Sequence, residues 1–170
     1  MKEFAVYDQM MAQYYKSIST HILPLFSWEF YGEHFSAMSS FKEDLEMLKK
    51  ITQKWNFDRN YQKELINKKS VIVITNTKLT IVYASHNIEK MNGYTPEEII
   101  GSSPKMFQGA NTCNQTSKMV RQAVKKQQPF EVSILNYKKD KSTYVCNIKG
   151  FPVLNKRGKL VNYIAFETAA

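Results

Sequence analysis

The sequence predicts an α+β fold: a five-stranded antiparallel sheet with short helices, preceded by an N-terminal helical extension. Between residues 70 and 170, five β-branched or alternating segments are separated by turn signals. Helix signals gather between the second and third of these segments, and apolar residues repeat at helical spacing before the first. We therefore divide the chain into a helical extension, residues 1–68, and a sheet domain, residues 69–170.

The extension contains two amphipathic stripes whose apolar residues are spaced three and four apart, as on one face of a helix. The first stripe comprises Phe4, Tyr7, Met11 and Tyr14, and the second comprises Phe41, Leu45, Leu48 and Trp55. Neither stripe can bury its apolar face alone. Two interpretations stay open: the helices cap the sheet of the same chain, or they form the isologous interface of a homodimer.

Five segments of the sheet domain predict strands, because they are rich in β-branched residues or alternate apolar with polar ones. They are residues 71–75, 79–84, 130–138, 142–153 and 159–166. Short turns separate the paired segments, at residues 76–78, 140–141 and 156–158. These three turns predict β-hairpins.

The stretch Gly93–Gly109 predicts two short helices separated by a turn. Thr95-Pro96-Glu97-Glu98 combines a capping hydroxyl, a proline at the first helical position and two acidic residues in the first turn. Gly101 ends this helix, and Pro104 opens the next one. Helices this short are unstable alone, so they need a larger structure to pack against.

Two more helices are predicted on either side of this stretch. Ser85 is expected to cap a helix that ends at Asn92-Gly93. Residues 111–127 predict a longer helix, which Pro129 closes. The side chains of this helix predicted to face inward are those of Met119, Val120, Ala123 and Val124.

Composition bears on the class of protein. No apolar run is long enough to cross a membrane, and the N-terminal residues do not resemble a secretory signal. The two cysteines, Cys113 and Cys146, imply neither a disulfide framework nor a metal site, so we expect a cytoplasmic location. Residues 69–170 carry the whole net charge of +9. A nucleic-acid-binding regulator is therefore one alternative, although scattered lysines favour a solvated surface, and nucleic acid is not the expected partner.

The stretch GYTPEEIIGSSPKMFQG, together with ILNYKKD and IAFE further on, resembles PAS domains, in particular the light-oxygen-voltage (LOV) branch. The resemblance covers residues 70–167. In LOV domains a flavin lies between the sheet and the short helices, and a cysteine in the motif GxNCRFLQ bonds to it in light. The corresponding segment here reads GSSPKMFQ, with Pro104 at the cysteine position. Proline has no thiol, so this resemblance implies a LOV-like domain that lacks the adduct cysteine.

The resemblance also implies which residues would hold a flavin. Two basic residues correspond to the phosphate-binding arginines, two strand residues to the asparagines that hold the ring edge, and one residue to the relay glutamine of the last strand. Gln108 matches the glutamine that ends the motif GxNCRFLQ. The implied cofactor-binding set is Lys105, Gln108, Arg121, Asn136, Cys146 and Glu167. Because only about half of the family's residue types are kept, we favour a core without a cofactor. Flavin mononucleotide (FMN) or another small ligand is the alternative.

We therefore expect a single-PAS sensory module that acts on an unidentified signalling protein by direct contact, as a homodimer, without covalent flavin photochemistry. The main alternative is a light or redox sensor that binds flavin non-covalently. No nucleophile elbow, phosphate loop or His-acid set is present, so we expect no enzymatic activity. No output domain follows in these 170 residues, which favours signalling by contact.

Overall fold

Five strands pair into one antiparallel sheet, as the sequence predicts. The strands are β1 (Val71–Asn76), β2 (Ile81–Ala84), β3 (Phe130–Tyr137), β4 (Thr143–Leu154) and β5 (Leu160–Ala169). Their order across the sheet is β2-β1-β5-β4-β3. The computed structural model describes residues 39–67 and 70–170, of which residues 40–170 form one compact unit.

Helices lie before the first strand and between β2 and β3. They are α1 (residues 39–52), α2 (Tyr61–Asn67), α3 (Ile88–Asn92), α4 (Pro96–Ile99), a 3-10 helix (Pro104–Phe107) and α5 (Asn114–Lys125). Helical segments before a five-stranded antiparallel sheet with short helices confirm the predicted fold class.

One apolar core lies on the outer face of the sheet, against α1 and α2. Leu48 of α1 is fully buried, and Trp55 and Leu65 are nearly so. They belong to one cluster with side chains of the sheet, Ile72, Ile74, Ile164 and Phe166. Phe41 and Leu45 pack at the margin of this cluster. The second predicted stripe therefore covers the sheet of its own chain.

The first predicted stripe, formed by Phe4, Tyr7, Met11 and Tyr14, lies outside the described residues. The homodimer interpretation and the division of the chain at residue 68 stay predictions.

Asp44 attaches α1 to the sheet through a buried carboxylate. The Tyr83 hydroxyl donates to Oδ1 of Asp44 at 2.8 Å, and the backbone N–H of His86 donates to Oδ2 at 3.1 Å. The Nδ1 atom of His86 lies 2.9 Å from the same carboxylate. One acidic side chain thus joins the helix to β2 and to the loop that follows it.

The inner face of the sheet carries the second core. Val71 and Val73 of β1 pack with Ile88 of α3, Ile99 of α4 and Phe107 of the 3-10 helix, all nearly or fully buried. The short helices are stable here because the sheet supplies the apolar partners that they lack alone. Both faces of the sheet are therefore covered, at least in part.

Local signals between residues 93 and 109 are confirmed. Thr95 and Glu98 form a capping box, in which the Thr95 N–H donates to Oε2 of Glu98 at 3.0 Å. Gly101 follows α4 with a φ of 88°, a value that favours glycine. Pro104 opens the 3-10 helix.

Two helix predictions are wrong in detail. Ser85 does not cap α3, because its Oγ accepts the backbone N–H of Ile72 at 2.8 Å and donates to Asn87. The helix α5 is shorter than residues 111–127, since the Thr112 hydroxyl donates to the carbonyl of Leu135 and keeps that turn outside the helix. Met119 of α5 is exposed rather than inward.

Candidate ligand cavity

A cavity of about 360 Å³ lies between the inner face of the sheet and the helices that cross it. Its walls come from β1, β3, β4, β5, the 3-10 helix and α5. The volume falls at the lower end of the range for small-molecule sites, roughly 300–1,000 Å³. The sheet and the short helices thus enclose a space suited to one small ligand.

Most of the residues predicted to bind a cofactor meet in this cavity. Its wall includes Lys105, Gln108, Arg121, Asn136 and Glu167. These side chains come from four different elements, so the fold, and not a local motif, brings them together. The sixth predicted residue, Cys146, is buried beside the cavity, with its Sγ 3.6 Å from Oε2 of Glu167.

Two basic side chains mark the solvent side of the cavity. Lys105 of the 3-10 helix and Arg121 of α5 both line it and are both exposed. Pro104 lies next to Lys105 in the same wall. The exposed cations could receive an anionic group of a ligand, while Pro104 offers it no nucleophile.

The interior of the cavity contains polar atoms without partners. Asn136 is 3% exposed and Thr75 is 6% exposed, and in the described chain neither Oδ1 of Asn136 nor Oγ1 of Thr75 has a hydrogen-bond partner. An unpaired buried polar atom costs about 1–3 kcal/mol. Both residues line the cavity, so a ligand with polar edges could relieve this cost.

A third buried polar group lies next to Asn136. Burial raises the pKa of the Tyr144 hydroxyl to about 12. Asn92 and Asn136 are its neighbours. Within the described residues, however, the Tyr144 hydroxyl, Nδ2 of Asn92 and Oδ1 of Asn136 each lack a hydrogen-bond partner. This end of the inner face is therefore polar but incompletely paired.

Glu167 is the one acidic side chain among the lining residues of the cavity. It is 6% exposed, and burial raises its pKa from the ordinary 4.5 to about 7, with the Cys146 thiol opposing this slightly. Near neutral pH the carboxyl is therefore protonated in a large fraction of molecules. A protonated glutamic acid has the shape of glutamine and presents one donor and one acceptor. Burial also raises the pKa of the Cys146 thiol.

Strand alternation separates Cys146 from its neighbour Asn147. Asn147 points to the opposite face of β4, where its Oδ1 accepts from the Ser133 hydroxyl at 2.6 Å. Asn147 therefore cannot replace the asparagine that the family resemblance places at Cys146.

Sequence reasoning missed several wall residues. Thr75, Leu79, Phe130 and Tyr163 line the cavity but carry no motif. The ring of Phe130 lies over Gly150, where a Cβ would come within 2.3 Å of it. The strand alternation of β1, β3 and β5 could have identified three of the four residues, since they share a face with Val73, Asn136 and Glu167.

Comparison with known proteins identifies the fold family. The sequence pattern of the PAS domain family matches residues 68–168, more than half of the chain. The chain belongs to the PAS family. Within residues 39–67 and 70–170 of this PAS protein, no helix is long and apolar enough to cross a membrane.

The curated relatives include proteins named for LOV domains, for activation by blue light and for regulation. Protein TWIN LOV 1 of Arabidopsis thaliana is 38% identical over 88 residues, which cover 51% of this chain and 22% of the relative. A blue-light-activated histidine kinase of Brucella anthropi is 29% identical over 97 residues, covering 55% and 20%. The nitrogen fixation regulatory protein of Klebsiella oxytoca is 25% identical over 96 residues, covering 56% and 19%. The chain thus spans about a fifth of the length of these relatives, and the shared part is a PAS sensory domain.

Solved structures place the PAS domain in the LOV-like branch. A LOV domain studied with a flavin analogue aligns with a TM-score of 0.61 and 27% identity, over 66% of this chain and 86% of that one. The dark structure of the Aureochrome1 LOV domain gives 0.60 and 27%, over 68% and 86%. The light-state dimer of Vivid gives 0.57 at 20% identity, over 61% and 79%, and shows a shared fold only.

Proposed function

We propose that this PAS domain is a sensory module that binds FMN non-covalently and signals through protein contact. The observation that supports this most is the unpaired Oδ1 of Asn136, buried in the wall of a cavity that has Lys105 and Arg121 on its solvent side. A core filled without a cofactor, the interpretation that the sequence favours, would leave this polar atom unpaired at a cost.

The residues present fit the flavin in most but not all respects. Asn136 and a protonated Glu167 would hold the polar edge of the ring system, and the two exposed cations would hold the phosphate. A lysine and an arginine form a weaker phosphate clamp than two arginines, because lysine lacks the planar fork. Cys146 cannot supply the hydrogen bonds of an asparagine, so binding should be weaker than in a site with two.

No cysteinyl bond to the flavin forms part of the proposal. Pro104 stands in the wall at the position implied for the reactive cysteine. Cys146 lies behind Glu167 with a raised pKa, and Cys113 is exposed outside the lining set. The bound flavin supplies light absorption and redox chemistry, and this chain supplies the binding groups and excludes water.

The output of the sensor is proposed to be non-enzymatic contact with a partner protein or a second copy. A solved relative of the same fold is described as a light-state dimer, which supports a homodimer as the simplest arrangement. The part of the predicted dimer face within α1 packs on the sheet of its own chain, so a dimer would use other surfaces or exchange α1 between copies. The cytoplasmic location stays a prediction from the cysteine content.

Titration of the 170-residue chain with FMN, followed by flavin fluorescence and native mass spectrometry, tests the proposal. We expect one FMN per chain, and we expect Asn136→Leu to weaken binding about tenfold through loss of a buried hydrogen bond. The matched control is Asn147→Leu, in the paired strand but on the opposite face, which should bind as the wild type does. Absence of FMN binding by a folded wild-type chain would refute the flavin proposal.

Mass spectrometry of the denatured protein after blue illumination tests the non-covalent part. The chain should retain its unmodified mass, because no thiol lines the cavity. A chain carrying the added mass of FMN would contradict this. The same native spectra report the oligomeric state, and a monomer at all concentrations would refute the homodimer.

A further inference from the structure

The β1–β2 hairpin holds a leucine in a backbone conformation that usually selects glycine. Leu79 has a φ of 61°, in the left-handed region where a residue with a Cβ is strained. It is the last residue of a three-residue hairpin loop, at the position where such loops place a left-handed residue. A branched side chain there is an outlier, and strain of this kind is retained where it serves a site.

The β4–β5 hairpin provides a comparison within the same chain. In both hairpins an asparagine, Asn76 or Asn155, accepts through Oδ1 from the N–H groups two and four residues later, at 2.9 and 3.0 Å in each case. The residue three positions after the asparagine is Leu79 in one loop and Gly158 in the other. Gly158 has a φ of 75° and open space around its Cα. The same turn therefore forms with glycine at a position that does not line the cavity.

The β3–β4 hairpin shows that a positive φ at a residue other than glycine does not by itself indicate a functional role. Lys141 also has a positive φ, 71°, and its side chain is exposed. A residue other than glycine is therefore tolerated at such a position in this protein. Leu79 differs from Lys141 because it is half-buried and forms part of the cavity wall.

Neighbouring hydrogen bonds fix this part of the wall. The N–H of Ile81 donates to the carbonyl of Ser102 at 2.9 Å, and the N–H of Gly101 donates to the carbonyl of Ile81 at 2.8 Å. The hairpin that carries Leu79 is thus attached to the segment that leads into Pro104. Both segments contribute to the same wall and cannot move apart without breaking these bonds.

We propose that Leu79 closes the ligand cavity and determines how tightly the ligand is retained, and that its strained backbone is kept for this purpose. The inference rests on the proposed function, in which the ligand is a flavin. The branched side chain contacts the apolar part of the bound ring system and slows its release. Glycine at position 79 would relieve the backbone strain and leave this wall open.

The experiment compares Leu79→Ala with Leu79→Gly in the 170-residue chain. Alanine removes the side chain and keeps the strain, whereas glycine removes both, so the glycine variant should unfold at the higher urea concentration of the two. Both variants should bind FMN about tenfold more weakly, because a leucine contact is lost. Gly158→Ala is the control: it introduces the same strain in the matching turn and should leave FMN affinity unchanged.

A second readout does not depend on flavin. In a Cys113→Ser background, Thr75→Cys places a thiol in the cavity wall, and its labelling by methyl methanethiosulfonate reports access to the cavity. Cys146 is fully buried with a raised pKa and should react far more slowly. Both Leu79 variants in this background should label severalfold faster than the background alone, and Gly158→Ala should not.

The outcomes separate the two proposals. If the folded wild type does not bind FMN, the flavin proposal fails, and the labelling rates alone decide whether Leu79 closes the cavity. Unchanged labelling in both Leu79 variants would overturn the inference about Leu79. Wild-type FMN affinity in both variants would overturn it as well.

Discussion

Glu167→Gln should change how the stability of this PAS domain depends on pH. The Glu167 carboxyl has a pKa of about 7 in the folded chain, against an ordinary 4.5, because it is buried. The folded state therefore keeps its proton over a pH range in which the unfolded state has already lost it. Glutamine has the same shape and stays neutral, and its side-chain oxygen can still accept from the Cys146 thiol.

The sign and size of the effect follow from proton linkage. Below pH 4.5 the carboxyl is protonated in both states, so the stability that it contributes is fully present. As the pH rises through about 7, the folded state must lose the proton in a buried position, and that stability is lost. A pKa difference of about 2.5 corresponds to about 3 kcal/mol of unfolding free energy, a large share of the 5–15 kcal/mol typical of a domain.

Urea unfolding of the wild type and of Glu167→Gln between pH 4.5 and 8.5 measures this difference. We expect similar free energies of unfolding at pH 4.5 and a variant that is more stable by up to about 3 kcal/mol at pH 8.5. Other titrating groups are common to both proteins and largely cancel. Glu46→Gln, at an exposed position of α1, is the matched control and should follow the wild type. A constant offset between the two curves at all pH values would refute the reasoning.

Three other changes test separate parts of the structure. Asp44→Asn should lower the free energy of unfolding, measured in urea, by about 1–3 kcal/mol, because it impairs a buried acceptor shared by several donors. An unchanged free energy would mean that the contact does not stabilise α1. Replacing Lys105 and Arg121 together by alanine should weaken FMN binding at least about tenfold. Binding of riboflavin, which has no phosphate, should be nearly unchanged. Equal losses of affinity for both ligands would contradict a phosphate site. Gly150→Ala should lower the free energy of unfolding by about 1–3 kcal/mol, because the new Cβ collides with the ring of Phe130. In the double variant, Phe130→Leu should remove most of the loss that Gly150→Ala causes. If the free-energy changes of the two substitutions simply added, the collision would be excluded.

Local signals made the helix boundaries between residues 95 and 107 predictable. Thr95, Gly101 and Pro104 act through their own backbone geometry or through a residue three positions away. The local sequence is therefore sufficient to predict where these helices begin and end. The same holds for the alternation that sends Cys146 and Asn147 to opposite faces of β4.

Other features depend on contacts that the local sequence does not contain. Ser85 looks like a helix cap, but its hydroxyl is used by Ile72, thirteen residues earlier, in the neighbouring strand. The burial of Glu167 comes from the packing of the sheet and helices around it. The role of Leu79 in a turn could not be predicted from its residue type, because leucine is not typical of turns. The asparagines three residues before Leu79 and Gly158, Asn76 and Asn155, could have indicated that the two hairpins share one turn.

The outer core has a practical consequence for any fragment of this protein. The family pattern begins at residue 68, yet Leu48, Trp55 and Leu65 precede it and belong to the same apolar cluster as the sheet. A fragment trimmed to the recognisable pattern would expose aliphatic and aromatic side chains of the sheet to water. It would also leave the Tyr83 hydroxyl without its acceptor, the Asp44 carboxylate. Such a fragment should aggregate or bind hydrophobic dyes, and any ligand affinity measured on it would describe a damaged protein.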